Sequence, residues 1–344
     1  MSKMLEKIRK NTIVDAQILK NSKYFDSGKV HPTRIPILNL ALSGRMRRIG
    51  PKKGGFPKGI IQIAAPPKHF KTNFMLELMR AYQDDNEGKD YIIVLYDSEL
   101  GSTLSYYEKA GLDTTRIDHR PIKSVEELRS DMANLLNDIE FGDNVLVCVD
   151  SIGMLRSNKE TEDAKKEHDA ADMTRAKALN SLFRIITAES AIKQISIVIV
   201  NHSYQTLELY SREVASGGRK TQYSAHTLLF ITKAQEQEQV DGVKELAGFT
   251  FTLRAGLSRY VKENAKFPVT VRFGEGIDVY SGIFELAQDL GYIVSPKQGW
   301  YRMKDWPEDA KNIRAAEFDE NPELFEKLLA NDEFVDAVEA KYSL

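Results

Sequence analysis

The run GIIQIAAPPKHFKTNFMLELMRAYQ, residues 59–83, decides the fold. Its first seven residues are almost wholly apolar, as expected of a strand buried on both faces of a parallel sheet. Phe74, Met75, Leu78, Met79 and Tyr82 then fall on one helical face over residues 71–83. Pro66 and Pro67 punctuate the join as a turn. Strand, turn and helix in that order make the repeating unit of α/β folds.

Outward from this run the pattern repeats. YIIVLY (91–96), VLVCV (145–149) and ISIVIV (195–200) read as further buried strands. Between them, SVEELRSDMANLLNDIE (124–140) opens on Ser124 with Glu127 three residues on, a capping box. Its Val125, Leu128, Met132, Leu135 and Ile139 share a face, and another helix is expected near 172–193. Strands alternating with helices predict an α/β fold with a mostly parallel central sheet covered on both faces. HTLLFIT, GFTFTLRA and FPVTVRF, after residue 225, read as added antiparallel strands. Residues 1–35 are polar, with Leu5, Ile8, Ile13 and Ile18 loosely spaced, and look like an arm. The core is expected over 36–282 and a small, acidic, helical region over 283–344. In that region Leu324, Phe325, Leu328 and Leu329 form the face to be buried. Its acids read most simply as a solvated face, with repulsion of a polyanion as the alternative.

Bulk composition bounds the rest. The 344 residues carry a formal net charge of −2, so any site for a polyanion must be a local basic patch. One such patch is GRMRRIGPKKGGFPKG (44–59), with Arg45, Arg47, Arg48, Lys52, Lys53 and Lys58 and no acid; an anion site and a solvated loop are both open readings. The single cysteine, Cys148, lies in an apolar run and cannot make an internal disulfide, which fits a reducing cytosol. No stretch has the length and apolarity of a membrane span, and the N-terminus lacks the apolar run of a secretory signal. A soluble cytoplasmic protein is expected.

APPKHFKT (65–72) has the length and ending of GxxxxGK(S/T), the phosphate loop, and its strand-before, helix-after context. Both glycines are replaced, by Ala65 and Phe70. Backbone N–H groups near 68–72 can still face phosphates at a helix N-terminus. Lys71 would hold the outer phosphates of ATP and the Thr72 hydroxyl would ligate Mg²⁺, with Pro67, Lys68, His69, Phe70 and Asn73 completing the loop. The strain falls on Phe70, where a side chain replaces a permissive glycine. Alone, this motif does not separate a phosphate loop from an ordinary connection with a chance Lys-Thr pair.

Two acids add to it. Asp150 ends the strand VLVCVD, where a carboxylate can hold Mg²⁺ beside the loop. Glu99, after YIIVLYDS, is placed to deprotonate an attacking water, with Asp97 as competitor. Either acid also fits a helix cap.

At this point the chain resembles the UvsX recombinases of T-even-like phages, within the RecA family. The resemblance rests on KYFDSGKVHPTRIPILNLALSG, PPKHFKTNF, LYDSELG, DMTRAKALNSLFRIIT, NHSYQT, FGEGIDVYSGIFELAQDLGYIV and PKQGWY, and covers roughly residues 20–300. It implies a RecA-type ATPase that forms a helical homo-oligomeric filament on single-stranded DNA and pairs it with homologous duplex, the N-terminal arm docking on the next subunit. It implies Lys71 and Glu99 as catalytic residues and Tyr106 stacked on adenine, where a helix-face core residue is the alternative. It further implies Asp150 and Ser151 as the second nucleotide motif. His202 falls at a switch that senses the γ-phosphate; a satisfied strand-end histidine is the rival reading.

ATP in such filaments lies between subunits, contacted by cations of the neighbour. Leu257-Ser258-Arg259 stands where related sequences have Lys-Ser-Arg, so Arg259 is retained and Lys262 is a candidate second cation. Two loops would face DNA, 156–172 and 203–222. Their region supplies Arg175, Tyr204, Tyr210, Arg212, Gly217, Gly218, Arg219 and Lys220, basic groups interleaved with aromatics and pliable glycines. A single-strand-binding protein and a recombination mediator are implied partners, and no membrane. Two rivals are a hexameric helicase on the same core and a filament protein that holds ATP without hydrolysing it. Neither a primase-binding domain nor loss of Glu99 supports them.

Overall fold

The computed structural model describes residues 3–25, 29–165, 173–206, 213–240 and 243–344. Helix α1 (Lys3–Arg9) buries none of its residues. Strands β1 (Val30–His31) and β2 (Phe56–Pro57) form a small antiparallel ladder flanking helix α2 (Pro36–Ser43). Pro36 starts α2, where a missing N–H leaves no bond unmade, and Gly44 closes it at φ 70°.

The deciding run folds as β3 (Gly59–Ala65) and α3 (Lys71–Asp85). After it come β4 (Ile92–Asp97), α4 (Leu104–Lys109), β5 (Ile117–Pro121), α5 (Val125–Asp138), β6 (Val145–Asp150), α6 (Asn158–Lys165) and α7 (Thr174–Lys193). Then follow β7 (Ser196–Gln205), β8 (Glu213–Ala215), α8 (Arg219–Tyr223), β9 (Thr227–Val240), β10 (Val243–Ser258), β11 (Lys266–Arg272) and β12 (Gly276–Ile277). The chain ends with α9 (Ile283–Asp289), β13 (Ile293–Lys297), β14 (Trp300–Met303), α10 (Ala315–Asp319), α11 (Pro322–Ala330) and α12 (Asp332–Tyr342).

Among the described residues, the main sheet runs β12-β11-β10-β9-β3-β7-β6-β4-β5, with β8 paired to β7. From β9 to β5 the neighbours are parallel, so β9, which holds the HTLLFIT run expected as antiparallel, joins β3 in parallel; β10 and β11 extend the sheet antiparallel as expected, and β12 adds a further antiparallel strand. Alternate residues of each strand serve opposite layers. Ile61, Ile63 and Cys148 face a core with α2, α3 and the C-terminal helices, whereas Ile60, Val147 and Ile197 face α5 and α7. The Ser124–Glu127 capping box forms, and Leu136 rather than Leu135 completes the buried face of α5. No helix among the described residues is long and apolar enough to cross a membrane.

Three details differ from expectation. The described residues of the 203–222 segment are not structureless: β7 continues to Gln205, β8 pairs back on it, and α8 follows, while 207–212 lie outside the described ones. Ser203 pairs with Ala215, so the segment is the end of a hairpin whose polar composition hides the ladder. The 156–172 segment holds α6, capped by the Ser157 hydroxyl on the Glu160 N–H, before residues 166–172, which lie outside the described ones. The third is the β13–β14 hairpin, which interrupts the helical 283–344 region. The basic stretch 44–59 is partly matched within the chain. Arg47 pairs with Asp332, Lys52 with Asp336 at 3.4 Å and Lys53 with Asp85 at 2.9 Å.

Candidate nucleotide and DNA site

The carboxyl ends of the parallel strands meet along one edge of the sheet. β3 ends at Ala65, β4 at Asp97 and β6 at Asp150. Asp97 and Asp150 are register partners, and Ala65 pairs with His202 on β7. The switch position, the second motif and the phosphate loop are therefore neighbours through backbone register alone.

The turn 66–70 is shaped by two residues in the left-handed region, Lys68 and Phe70, each at φ 61°. For Phe70 that conformation costs about 1 kcal/mol. It is held by packing: the ring stacks on Phe251 with centroids 4.9 Å apart and meets Phe74 edge-on at 5.7 Å. The glycine of the general phosphate-loop pattern is thus replaced by a residue anchored to β10. His69 Nδ1 donates to the Pro67 carbonyl at 2.9 Å, tightening the turn.

Lys71 is buried, and its Nζ donates to the Pro66 carbonyl at 2.9 Å. Desolvation holds its pKa below the ordinary lysine value, against the pull of Glu99 and Asp150. The Thr72 hydroxyl donates to Asp150 Oδ2 at 2.6 Å, while Asp150 Oδ1 is buried without a hydrogen-bond partner among the described residues. Burial pushes the Asp150 carboxyl up to about 6, opposed by the Thr72 hydrogen bond. A hydroxyl and an orphaned carboxylate oxygen side by side fit a Mg²⁺ ion and its waters. Asn73 accepts from the Tyr106 hydroxyl at 2.7 Å, which brings that half-buried ring against the start of α3.

Glu99 and Asp97 differ in availability. The Asp97 side chain is 8% exposed, whereas Glu99 is 43% exposed and accepts from the Ser151 hydroxyl at 3.2 Å. His202 Nε2 lies 3.8 Å from Glu99 Oε1 and lacks a hydrogen-bond partner among the described residues. Desolvation, then the Lys71 charge, lowers the His202 pKa below the ordinary value. The ring is therefore a neutral group facing the site.

Supporting residues emerge only from the contacts. A Cβ on Gly153 would come within 2.1 Å of His202 Cδ2, so glycine there admits the ring. Asn201 Oδ1 accepts from the His202 N–H at 2.8 Å, and its amide reaches the Ser216 carbonyl across the hairpin at 2.8 Å. Ser98 bridges to Ser151 through its hydroxyl, at 2.8 and 3.0 Å. Adjacency to Asp150 and His202 was the only sequence signal for them.

The residues expected at DNA are only partly gathered. Tyr204 is exposed on β7, and Gly217 and Gly218 have φ of 96° and 84°. The backbone of Arg219 and Lys220 opens α8. Tyr210 and Arg212 lie outside the described residues. The Arg175 guanidinium donates to the carbonyls of Leu155, Ile152 and Gly153 at 2.6, 2.9 and 3.2 Å. Those bonds fasten the turn after β6 to α7.

Arg259 stands at the other end of the sheet. It lines a cavity of about 300 Å³ with Tyr24, Lys29, Lys58, Gly59 and His226, beside the first residue of β3. A seven-residue strand separates it from its own phosphate loop, roughly 20 Å. Lys262 is engaged elsewhere, donating to the Lys341 carbonyl at 2.9 Å at the end of α12.

Comparison with known proteins adds the following. Residues 280–338 match the family model described as the C-terminal domain of the bacteriophage T4 recombination and repair protein. The chain is 43% identical over 283 residues to the recombination and repair protein of Enterobacteria phage T4, covering 82% of this chain and 69% of that one. It is 23% identical to protein RecA of Corynebacterium glutamicum strain R, over 92% of this chain and 82% of the relative. Protein RecA of Nostoc punctiforme is 23% identical over 80% of this chain and 74% of its own length.

Proposed function

Because the chain belongs to the UvsX family of RecA-type recombinases, we propose that it assembles as a helical filament on single-stranded DNA and hydrolyses ATP to ADP and phosphate while exchanging strands with homologous duplex. The reading rests on one observation above the others. The Thr72–Asp150 pair, Glu99 and His202 converge at the sheet edge from which the β7–β8 hairpin departs.

In this reading Lys71 leaves the Pro66 carbonyl for the outer phosphates. Backbone N–H groups of Lys68, His69, Phe70 and Lys71 line the loop behind Pro67, and Tyr106 stacks on the base while its hydroxyl keeps Asn73 in place. Mg²⁺, held through Thr72 and Asp150, supplies charge neutralisation on the phosphates. Glu99 takes the proton of the attacking water, steadied by the Ser151 hydroxyl. His202 meets the γ-phosphate through its free Nε2 and passes its position to the hairpin.

Arg259, roughly 20 Å from its own loop, serves the ATP of the next subunit. The arm, residues 1–35, docks on that neighbour through its exposed first part, while β1 stays in its own subunit; Met4, Ile8, Ile13 and Leu19 are 65–100% exposed in the single chain and need such a cover. Single-stranded DNA lies along 203–222, with Tyr204, Tyr210, Gly217 and Gly218 shaping the contact and Arg212, Arg219 and Lys220 on its phosphates; 156–172 contributes at the side. The core over 36–282 and the 283–344 region form the body of each subunit, which works in the host cytoplasm with a single-strand-binding protein and a loading mediator.

Phosphate release by the full chain, with and without single-stranded DNA, tests this function. The expected result is DNA-stimulated release and open helices by electron microscopy; rings would favour a helicase, and filaments without phosphate release a non-hydrolysing protein. Lys71→Ala is expected to lose ATP binding and ATP-dependent DNA affinity together. Arg219→Ala with Lys220→Ala is expected to weaken DNA binding and flatten its salt dependence. Identical salt slopes would move the contact to 156–172.

A further inference from the structure

Asp97 ends β4 two residues before Glu99, and its carboxylate is almost fully engaged. Oδ1 accepts from the backbone N–H groups of both Glu99, at 2.9 Å, and Leu100, at 2.8 Å. Oδ2 lies 3.2 Å from His119 Nε2 on β5. The side chain is 8% exposed, so it has little contact with bulk water. A base must reach the proton it removes, and these oxygens are turned into the protein.

The same bonds act on Glu99. Leu100 has φ 50°, a left-handed conformation that a leucine adopts only when its surroundings impose it. The two N–H bonds to Oδ1 impose it, folding the chain back just after Glu99. From the other side, Ser98 donates its N–H to the Asp150 carbonyl at 2.8 Å, tying the turn to β6. Glu99 therefore projects from a turn clamped at both ends, toward the Ser151 hydroxyl.

We infer that Asp97 is a positioning residue for ATP hydrolysis: its Oδ1, by accepting the Glu99 and Leu100 N–H groups, aims the Glu99 carboxylate at the attacking water, and His119 holds Asp97 in that orientation. This rests on the reading of Glu99 as the base. What Asp97 supplies is a hydrogen-bond acceptor. An asparagine would keep the acceptor, with its amide toward His119 Nε2, which accepts in the Nδ1-protonated tautomer.

The test measures DNA-stimulated phosphate release and equilibrium ATP binding for wild type, Asp97→Ala, Asp97→Asn, Glu99→Gln and the double variant Asp97→Ala/Glu99→Gln. Asp97→Ala is expected to lower kcat about tenfold or more with ATP affinity within about twofold, the signature of lost orientation. Asp97→Asn is expected to restore kcat to within about threefold of wild type, and Asp97→Ala is expected to add no further loss on Glu99→Gln, because it acts through that residue. An Asn variant as slow as Ala, or a full additional loss in the double variant, overturns the inference. If the alanine variant fails to fold, the asparagine variant alone decides. A normal rate in Glu99→Gln would instead remove the underlying reading of the base.

Discussion

Ala65, the last residue of β3, is the register partner of His202 on β7. The first turns into the phosphate loop, and the second begins the hairpin that carries the expected DNA contacts. No flexible linker separates them, because adjacent parallel strands move as one ladder. On the proposed reading, a shift of the His202 ring on the γ-phosphate would act on β7 directly. His202→Ala is expected to bind ATP within a few-fold of wild type but to lose the increase in single-stranded DNA affinity that ATP brings. Gly153→Ala, whose methyl would collide with the ring, is expected to behave alike. Fluorescence anisotropy with labelled oligonucleotide, with and without ATP, measures this; an undiminished ATP effect in both variants would disprove the coupling.

Phe70 combines a left-handed backbone with a stacked ring. Phe70→Ala removes the stacking and keeps the strain, and is expected to cost about 2 kcal/mol of stability. Phe70→Gly loses the same ring and relieves the backbone, so it is expected to lie about 1 kcal/mol above the alanine variant. Urea unfolding of the two orders them. Alanine equal to or above glycine would mean that the left-handed turn is not strained.

Arg259 stands at the start of β3 and Lys71 beyond its end. On the proposed filament reading, each ATP needs Lys71 from one subunit and Arg259 from its neighbour. Mixing Arg259→Ala with Lys71→Ala subunits is expected to regain partial phosphate release, up to about a quarter of wild type for random order at equal ratio. No regain at any mixing ratio, with co-assembly verified, would place Arg259 outside the active site.

His226 gives a pH signature. Its Nδ1 accepts from the Ile60 N–H at 3.1 Å, over Gly59, so the ring must be neutral there. Burial, helped by the Arg259 charge, lowers its pKa from 6.5 to about 4. Between those values the unfolded chain binds the proton and the folded one does not, so this residue makes stability fall as pH drops from 6.5 toward 4. His226→Asn keeps an acceptor without the titration. It is expected to show a shallower loss of melting temperature between pH 7 and pH 5 than wild type; equal losses would refute the assignment.

Much of this architecture was legible because its signals are local. The apolar runs of β3, β4, β6 and β7, the capping box at Ser124 and Glu127 and the Lys-Thr ending of the phosphate loop each depend on a few adjacent residues. Periodicity also placed the strands after residue 225, although β9 joins β3 in parallel and not antiparallel as expected. It did not find β8, three residues of mixed polarity whose partners are supplied by β7, and it read α6 as loop because its charges face solvent.

The residue order by itself determined the apolar strands β3, β4, β6 and β7 and the strand–turn–helix join that carries the candidate phosphate loop, since hydrophobic period, turn chemistry and motif spacing are written along the chain. Only the tertiary structure decided what those residues do to one another. Glu99 rather than Asp97 is the exposed acid, Arg175 is tied to backbone carbonyls, and Phe70 leans on Phe251, 181 positions away. The physical reason is that burial, register and hydrogen-bond partnership are properties of pairs brought together by packing. Two carboxylates two residues apart carry the same chemistry in sequence, and they differ only once the backbone of β4 turns one inward and the other toward the open edge of the sheet.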